Sequence, residues 1–171
     1  MTSTATSLIR IPSPIGRLEL TSDTEHIHGE HILSLSIERG GRLPLDAAPE
    51  KPSPLLQIAA GQLDEYFAGT RTTFDLPVHL TGGTTFQQSV WNRLAAIGFG
   101  EFMSYGELGL DIGRPGSGRA IGGAVGANPV PIIIGCHRVL ASNGGITGYS
   151  GGNGIPTKIW LLDHEGIGHA A

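Results

Sequence analysis

A chain of 171 residues with a formal net charge of −4, 15% charged residues and 27 glycines is globular and loop-rich, and long enough to bury a core of its own. The acidic balance argues against a general polyanion binder, and no apolar run approaches the roughly 20 residues of a membrane-spanning helix. A single cysteine excludes an internal disulfide, and the Ser/Thr-rich segment 1–7 lacks the basic and apolar regions of a signal peptide, so the expected compartment is the cytoplasm. The charge is uneven: residues 1–81 carry 6 Lys/Arg and 10 Asp/Glu, whereas 82–171 carry 5 of each, so any polyanion would favour the second half.

The first half reads as a small α+β unit. Residues 8–11 and 17–21 look like strands about the turn Pro12-Ser13-Pro14-Ile15-Gly16, and the alternation of Leu33, Leu35 and Ile37 with polar residues predicts a third strand. A proline-rich loop, 43–52, leads to Ser53, an N-cap, with Pro54 at the first helical position. Leu55, Ala59, Leu63 and Phe67 are the expected inner stripe of that helix, and Gly69 ends it. Residues 72–76 read as a further strand or an extended linker. His26, His28 and His31 sit on a polar turn with no cysteine near and read as solvated histidines, so no metal is expected.

The second half begins at the linker Thr81-Gly82-Gly83-Thr84. Thr85 with Gln88 reads as a capping box, with Phe86, Val90, Leu94 and Ile97 on one helical face. Ser104-Tyr105-Gly106-Glu107 reads as a second capping box opening a helix to about Ile112. A glycine-rich turn, 113–116, precedes Ser117-Gly118-Arg119-Ala120-Ile121-Gly122-Gly123-Ala124-Val125-Gly126-Ala127. Helix, tight turn, helix is the pattern of a helix-turn-helix. Each interior glycine costs a helix about 1 kcal/mol relative to Ala, so a bare face implies close approach to something, with Arg119 as its one long side chain; a flexible loop is the competing reading.

The apolar run 130–134, stiffened by Pro129 and Pro131, reads as a short buried strand that delivers Cys136 beside His137 and Arg138. The thiolate is the nucleophilic form of cysteine, and a neighbouring imidazole can raise its fraction, directly or through a water. Residues 139–141 and 146–147 look like a hairpin around Ser142-Asn143-Gly144-Gly145. A loop from Tyr149 to Gly154 could close over a pocket, and Pro156 opens a last helix ending at Asp163-His164-Glu165-Gly166.

Cys136-His137-Arg138-Val139, preceded by Asn128-Pro129-Val130-Pro131, resembles the Pro-Cys-His-Arg-[Val/Ile] region of the O6-alkylguanine-DNA alkyltransferases, suicide DNA repair proteins. The resemblance extends in order through Phe86-Gln87-Gln88-Ser89-Val90-Trp91, Ser104-Tyr105-Gly106-Glu107-Leu108, Arg119-Ala120-Ile121-Gly122, Gly148-Tyr149-Ser150-Gly151-Gly152 and Trp160-Leu161-Leu162-Asp163-His164-Glu165-Gly166. It is looser in the first half, at Ser13-Pro14-Ile15-Gly16 and Leu63-Asp64-Glu65-Tyr66-Phe67. Together these readings imply an α+β protein: a small N-terminal antiparallel-sheet and helix domain, 1–81, supporting a mainly helical C-terminal domain, 82–171, with a helix-turn-helix that binds DNA and accepts the alkyl group.

The resemblance implies that Cys136 takes the alkyl group from guanine O6, with His137 as general base through a water and Glu165 holding its tautomer. Asn128 orients the site, and Tyr105 helps rotate the phosphodiester and meets the base edge. Arg119 enters the minor groove and fills the place of the flipped nucleotide, with Ala120, Gly122, Gly123 and Ser142 also at the DNA. Val139, Tyr149 and Ser150 line the pocket for the extruded base, while Trp160 reads as core. The partner implied is double-stranded DNA carrying O6-alkylguanine, with O4-alkylthymine as a further candidate substrate, met by a monomer with no membrane contact. Some members hold zinc in the first half through cysteine and histidine; here the only cysteine is the expected nucleophile, so no metal or cofactor is implied.

Three other readings compete: an alkyltransferase-like damage-binding module without transfer, a cysteine hydrolase using Cys136, His137 and Glu165, and a helix-turn-helix regulator. The chain departs from the family at Gly135, where proline is usual, and looks about two residues longer between Gly152 and Lys158. The expectation at Gly135 is a proline-like backbone, so that Gly135→Pro would stabilise the protein by about 0.4–1 kcal/mol through the unfolded state.

Overall fold

In the computed structural model, residues 6–26 and 29–170 are described, with backbone alone at 24–26. Two compact units divide the chain, 1–81 and 82–171. In the first, β1 (Ser7–Ile11), β2 (Leu18–His26) and β3 (Gly29–Ile37) form an antiparallel sheet in the order β1-β2-β3. β2 runs beyond the expected 17–21 because its backbone keeps pairing with β3, past a register shift at Thr21/Ser22, as far as His26 opposite Gly29. It is the central strand, and two of the polar residues it buries are paired: Thr21 bonds Ser34 across the sheet, and Glu19 accepts from Arg10.

Ser53 caps α1 (Pro54–Phe67), its hydroxyl accepting from Leu56 N at 3.2 Å. Ala59 and Leu63 are buried as expected, but the stripe is completed by Leu56, Gln62 and Tyr66, while Leu55 and Phe67 are half-buried. At about 100° per residue a strict four-residue spacing drifts about 40° at each step, so only mixed three- and four-residue spacing stays on one face. Residues 71–77 form no strand; Val78 makes an isolated parallel bridge to Ile32. His31 lies in β3 with Nδ1 2.9 Å from Gly29 O; His28 and the side chain of His26 lie outside the described residues.

The second unit is mainly helical. Its elements are α2 (Thr85–Leu94), the short strand β4 (Met103–Ser104), α3 (Tyr105–Asp111), α4 (Gly118–Gly126), a 3₁₀ turn (Cys136–Arg138), β5 (Val139–Leu140) and α5 (Ile155–His164). The capping box of α2 is formed by Thr84 and Gln87, one residue before the expected pair, since Thr84 has the extended backbone an N-cap needs. Ser104 and Glu107 make the box of α3, at 3.0 and 2.9 Å.

Residues 118–126 are helical, not a flexible loop, and pack against α2 and α3 through Ile121, Ala124 and Val125. Trp91 Nε1 donates to Ala124 O at 2.8 Å, tying α2 to α4. Gly109 permits the α3–α4 crossing: a Cβ there would meet Arg114 O and Ile121 Cδ1, each at 2.9 Å. The outer face of α4 is different, since a Cβ on Gly118, Gly122 or Gly123 would meet nothing within 4 Å.

Two expected strands are absent. Residues 130–134 form a tight turn in which Ile134 N donates to Val130 O at 2.9 Å, and Ile132 takes φ 73°. That left-handed backbone costs a β-branched residue about 1–2 kcal/mol, and the fully buried side chain together with the Asn128 side chain described below holds it in place. Nor do 139–141 and 146–147 form a hairpin: β5 pairs in parallel with β4, and the 141–145 turn hands Gly145 to a bridge with Ala170. No helix among the described residues is long and apolar enough to cross a membrane.

Candidate active site around Cys136

Asn128, just beyond α4, clasps the turn that follows it. Its Oδ1 accepts from Val130 N at 3.0 Å and its Nδ2 donates to Ile134 O at 2.8 Å. One side chain thus satisfies both ends of the strained turn and aims the chain at Cys136. Gly135 then makes an inverse γ-turn, φ −75° and ψ 67°, closed by Cys136 N donating to Ile134 O at 2.8 Å.

The thiol is buried, and burial pushes it above its ordinary pKa; hydrogen bonds with the Asn128 side chain and the Tyr149 hydroxyl, and the charge of Lys158, pull the other way. At neutral pH it therefore rests as a thiol and needs a base. His137 follows it in the same 3₁₀ turn and is fully buried, and burial holds its imidazole below the ordinary value, as a neutral ring.

Glu165 fixes which nitrogen of that ring carries the proton. It is the C-cap of α5, where a left-handed Gly166 (φ 72°) and the bonds Ile167 N to Leu162 O and Gly166 N to Asp163 O end the helix. A carboxylate is disfavoured at a helix C-terminus, so its partners must hold it there. His137 Nε2 lies 2.6 Å from Oε2, Arg138 Nη2 donates to Oε2 at 3.0 Å and Arg138 Nε to Oε1 at 2.8 Å, and Gly100 N donates to Oε1 at 3.1 Å. Burial opposes ionisation of Glu165, but the hydrogen bonds from His137 and Arg138 outweigh it and hold the carboxyl well below the usual range. Against a carboxylate, His137 Nε2 must be the donor. The lone pair is then on Nδ1, which is buried and has no hydrogen-bond partner among the described residues. A neutral imidazole with Nε2–H committed and Nδ1 open is a base.

Four of the expected residues, Cys136, His137, Glu165 and Asn128, meet in this cluster, and Tyr149 joins it. The Val139 carbonyl is bonded by Lys158 Nζ at 2.7 Å and keeps a second lone pair. Ser150 approaches the end of α4, where a Cβ on Gly126 would lie 2.8 Å from its Oγ. Tyr105 is the first residue of α3 and half-buried; its hydroxyl accepts from Thr147 Oγ1 at a long 3.4 Å. Arg119, Ala120 and Gly123 are exposed on α4, Gly122 is half-buried, and Ser142 is exposed in the 141–145 turn; these stand outside the hydrogen-bonded cluster. Arg119 makes no ion pair or hydrogen bond among the described residues. Trp160 is half-buried and stacks on His164 at 4.9 Å.

Two residues of this cluster were given no role by the sequence. Arg138 is buried and forks onto Glu165, with Nη1 also donating to Ile97 O at 2.6 Å. Lys158 is almost fully buried, donates to Val139 O and to Gly148 O (3.4 Å), and is shifted below its ordinary pKa by that burial. A lysine three and four residues before Leu161 and Leu162, on the apolar face of a helix, was the available signal for the second.

The backbone at Gly135 is proline-like, as expected, but the space is not. A Cβ there would lie 2.8 Å from Arg138 Nη1 and 2.9 Å from its Cδ, so Gly135→Pro is expected to destabilise the protein.

Both units of the chain are similar to known proteins. Residues 85–167 match the profile of the 6-O-methylguanine DNA methyltransferase DNA binding domain, and residues 8–80 that of the 6-O-methylguanine DNA methyltransferase ribonuclease-like domain. The methylated-DNA–protein-cysteine methyltransferase of Salmonella typhimurium is 50% identical over 105 residues, 61% of this chain and 60% of that protein, so the match spans less than two thirds of that relative. The protein of the same name from Rattus norvegicus is 39% identical over 170 residues, covering 92% of this chain and 80% of its own. Mycobacterium tuberculosis OGT, solved in complex with DNA, is similar with a TM-score of 0.74 and 43% identity, covering 91% of this chain and 90% of that one.

Proposed function

Because the chain belongs to the 6-O-methylguanine DNA methyltransferase family, we propose that it repairs DNA by moving the alkyl group of O6-alkylguanine onto Cys136, once per molecule. The observation that carries this reading is the buried thiol beside a neutral imidazole whose Nε2 is committed to Glu165 and whose Nδ1 is open. The thiol proton passes through a water to His137 Nδ1 while the sulfur attacks the alkyl carbon. The carbon–O6 bond breaks, its electrons stay on the guanine, and the guanine takes a proton, leaving a thioether and an unmodified base. Asn128, Tyr149 and the charge of Lys158 favour the thiolate as it forms. A thioether offers no leaving group to this site, so the transfer is irreversible.

A thiol inside the fold cannot reach O6 in a stacked duplex, so the base is flipped. Residues 82–171 bind the duplex through the minor groove. The bare outer face of α4, with Ala120, Gly122 and Gly123, allows close approach, and Arg119, exposed and unpaired among the described residues, takes the place of the extruded nucleotide. Ser142 adds a backbone contact, Tyr105 turns the phosphodiester, and Val139, Tyr149 and Ser150 receive the base. Residues 1–81 support this domain. The protein acts as a monomer on duplex DNA, and the need to keep its one thiol reduced places it in the cytoplasm.

Duplex DNA carrying O6-methylguanine with a labelled methyl group tests the reading. Label should move to the protein to one equivalent, raising its mass by one methyl group. Cys136→Ser should take up none while still binding DNA. Binding without label would identify a damage-binding module, and turnover of an ester a hydrolase. Arg119→Ala should slow repair of duplex about tenfold or more and leave reaction with free O6-benzylguanine near native, since only the duplex needs flipping.

A further inference from the structure

Residues 82–171 carry five Lys and Arg side chains, and the fold engages three of them internally. Arg93 pairs with Asp111 at 2.9 Å, Arg138 with Glu165 at 2.8 Å, and Lys158 Nζ donates to Val139 O at 2.7 Å. Arg114 and Arg119 are left, and neither makes an ion pair or a side-chain hydrogen bond among the described residues. Arg119 has a task in the reading above, at the place of the flipped nucleotide. Arg114 has none. It is exposed in the turn between α3 and α4, on a fixed backbone. Gly113, left-handed at φ 73°, ends α3, with Gly113 N donating to Leu110 O at 3.1 Å and Arg114 N to Gly109 O at 2.7 Å. Pro115 stiffens the next step. The carboxylate nearest in sequence, Asp111, is taken by Arg93. The Arg114 guanidinium lies instead over the Phe86 ring, on the first turn of α2, 5.8 Å from its centre. A cation held over an aromatic ring, with no carboxylate beside it, keeps its donors for a group outside the fold.

We infer that Arg114 binds a phosphate of the DNA backbone, at the edge of the groove that α4 enters, with Phe86 as the platform that holds its guanidinium ready. The inference rests on the DNA reading above. In a helix-turn-helix one helix enters the groove while the other crosses the backbone, so the turn between them lies against the phosphates at the groove's edge. Such a contact fixes register and adds affinity for any duplex, and it reads no base. The two free arginines thus divide the work: Arg119 acts at the extruded nucleotide, Arg114 on the backbone. A phosphate neutralised by one guanidinium releases about one counterion, so the loss of Arg114 is read in the salt dependence of binding.

The test is duplex binding by the full chain, with and without O6-methylguanine in the DNA, measured from about 50 to about 200 mM salt. Arg114→Gln should lower the slope of log affinity against log salt by about 0.9 and weaken binding about tenfold near 0.1 M salt, equally on both duplexes. Arg114→Lys keeps the charge and should keep the slope. Phe86→Leu also keeps the charge, and should weaken binding about two- to fivefold at an unchanged slope, since only the platform is lost. Transfer from free O6-benzylguanine, which involves no phosphate, should stay within about twofold of native in Arg114→Gln. An unchanged slope in Arg114→Gln, an equal fall of slope in Arg114→Lys, a loss confined to the lesion-bearing duplex, or an equal loss in the free-base reaction overturns the inference. A native protein that binds no duplex and transfers nothing would fail the functional reading instead, so the two failures are distinct.

Discussion

Glu19 in the first unit and Glu165 in the second are both buried carboxylates gripped by an arginine. Glu19 accepts from Arg10 Nε at 3.1 Å and from Leu45 N at 3.0 Å; Glu165 accepts from Arg138, from Gly100 N and from His137. In each case arginine and a backbone N–H answer the cost of burying the charge. The difference is the remaining partner. Around Glu19 every donor is a fixed cation or an amide, so the pair does one thing: it pins the 43–52 loop to β2. Around Glu165 one donor is an imidazole whose second nitrogen is open, so the same ion-pair chemistry orients a base. Function at a buried salt bridge is decided by whether one of its partners can still give or take a proton.

The sharpest break in that comparison is Glu165→Gln. It leaves Arg138 buried without a counter-charge and frees the His137 tautomer, so transfer should fall about 100-fold or more and stability by about 3–5 kcal/mol. Single-turnover rates and denaturant unfolding measure the two; native transfer in this variant would remove Glu165 from the mechanism.

The pH dependence should separate the pairs next. Burial holds His137 below its ordinary value in the folded protein, so the acid limb of the transfer rate should lie on the acid side of about pH 6.5, the ordinary imidazole value, and steepen only once the buried ring takes up its proton. Stability has the same sign. The unfolded chain protonates His137 near pH 6.5 and the folded one does not, so stability declines as pH drops below that value. Glu165, held low, adds stability above about pH 4.3 that is lost as pH falls toward its folded pKa. An acid limb above the ordinary imidazole value would mean that His137 is not the base.

Glu19→Gln should have the smallest effect on chemistry. It weakens a charge-assisted bond to Arg10 and should cost about 1–3 kcal/mol of stability, read from thermal melts, with transfer from free O6-benzylguanine within twofold of native. A rate loss there would show that the first unit reaches into the chemistry.

Much of this was legible in order along the chain. Ser53 before Pro54 and Ser104 before Glu107 announce helix starts because their side chains answer amides two or three residues away, and such bonds need no tertiary context. The Cys136-His137 pair, Asn128 and Glu165 were readable as a constellation through resemblance, and the glycine-rich α4 through its departure from helix propensity. Local rules misread the run from Val130 to Ile134. Three isoleucines in a row favour a strand, yet Asn128 bonds both ends of the segment and buried packing holds Ile132 in a left-handed turn. Tertiary contact there outweighs β-propensity, which is worth only about 1 kcal/mol.

By itself the sequence determined that a cysteine and a histidine adjoin, that Ser53 and Ser104 start helices and that residues 118–126 carry few side chains, since each is a matter of residue identity and short spacing. Only the tertiary structure decided that Arg138 and Glu165, 27 positions apart, close on one another, that Lys158 turns inward to the Val139 carbonyl, and that β5 pairs with β4 instead of forming a hairpin. It also decided the meaning of Gly135. A glycine in place of proline reads along the chain as backbone freedom, whereas in the fold it is room for a guanidinium. Spacing along a chain encodes which atoms can meet within one turn; which charges share a buried site depends on where distant segments come to rest.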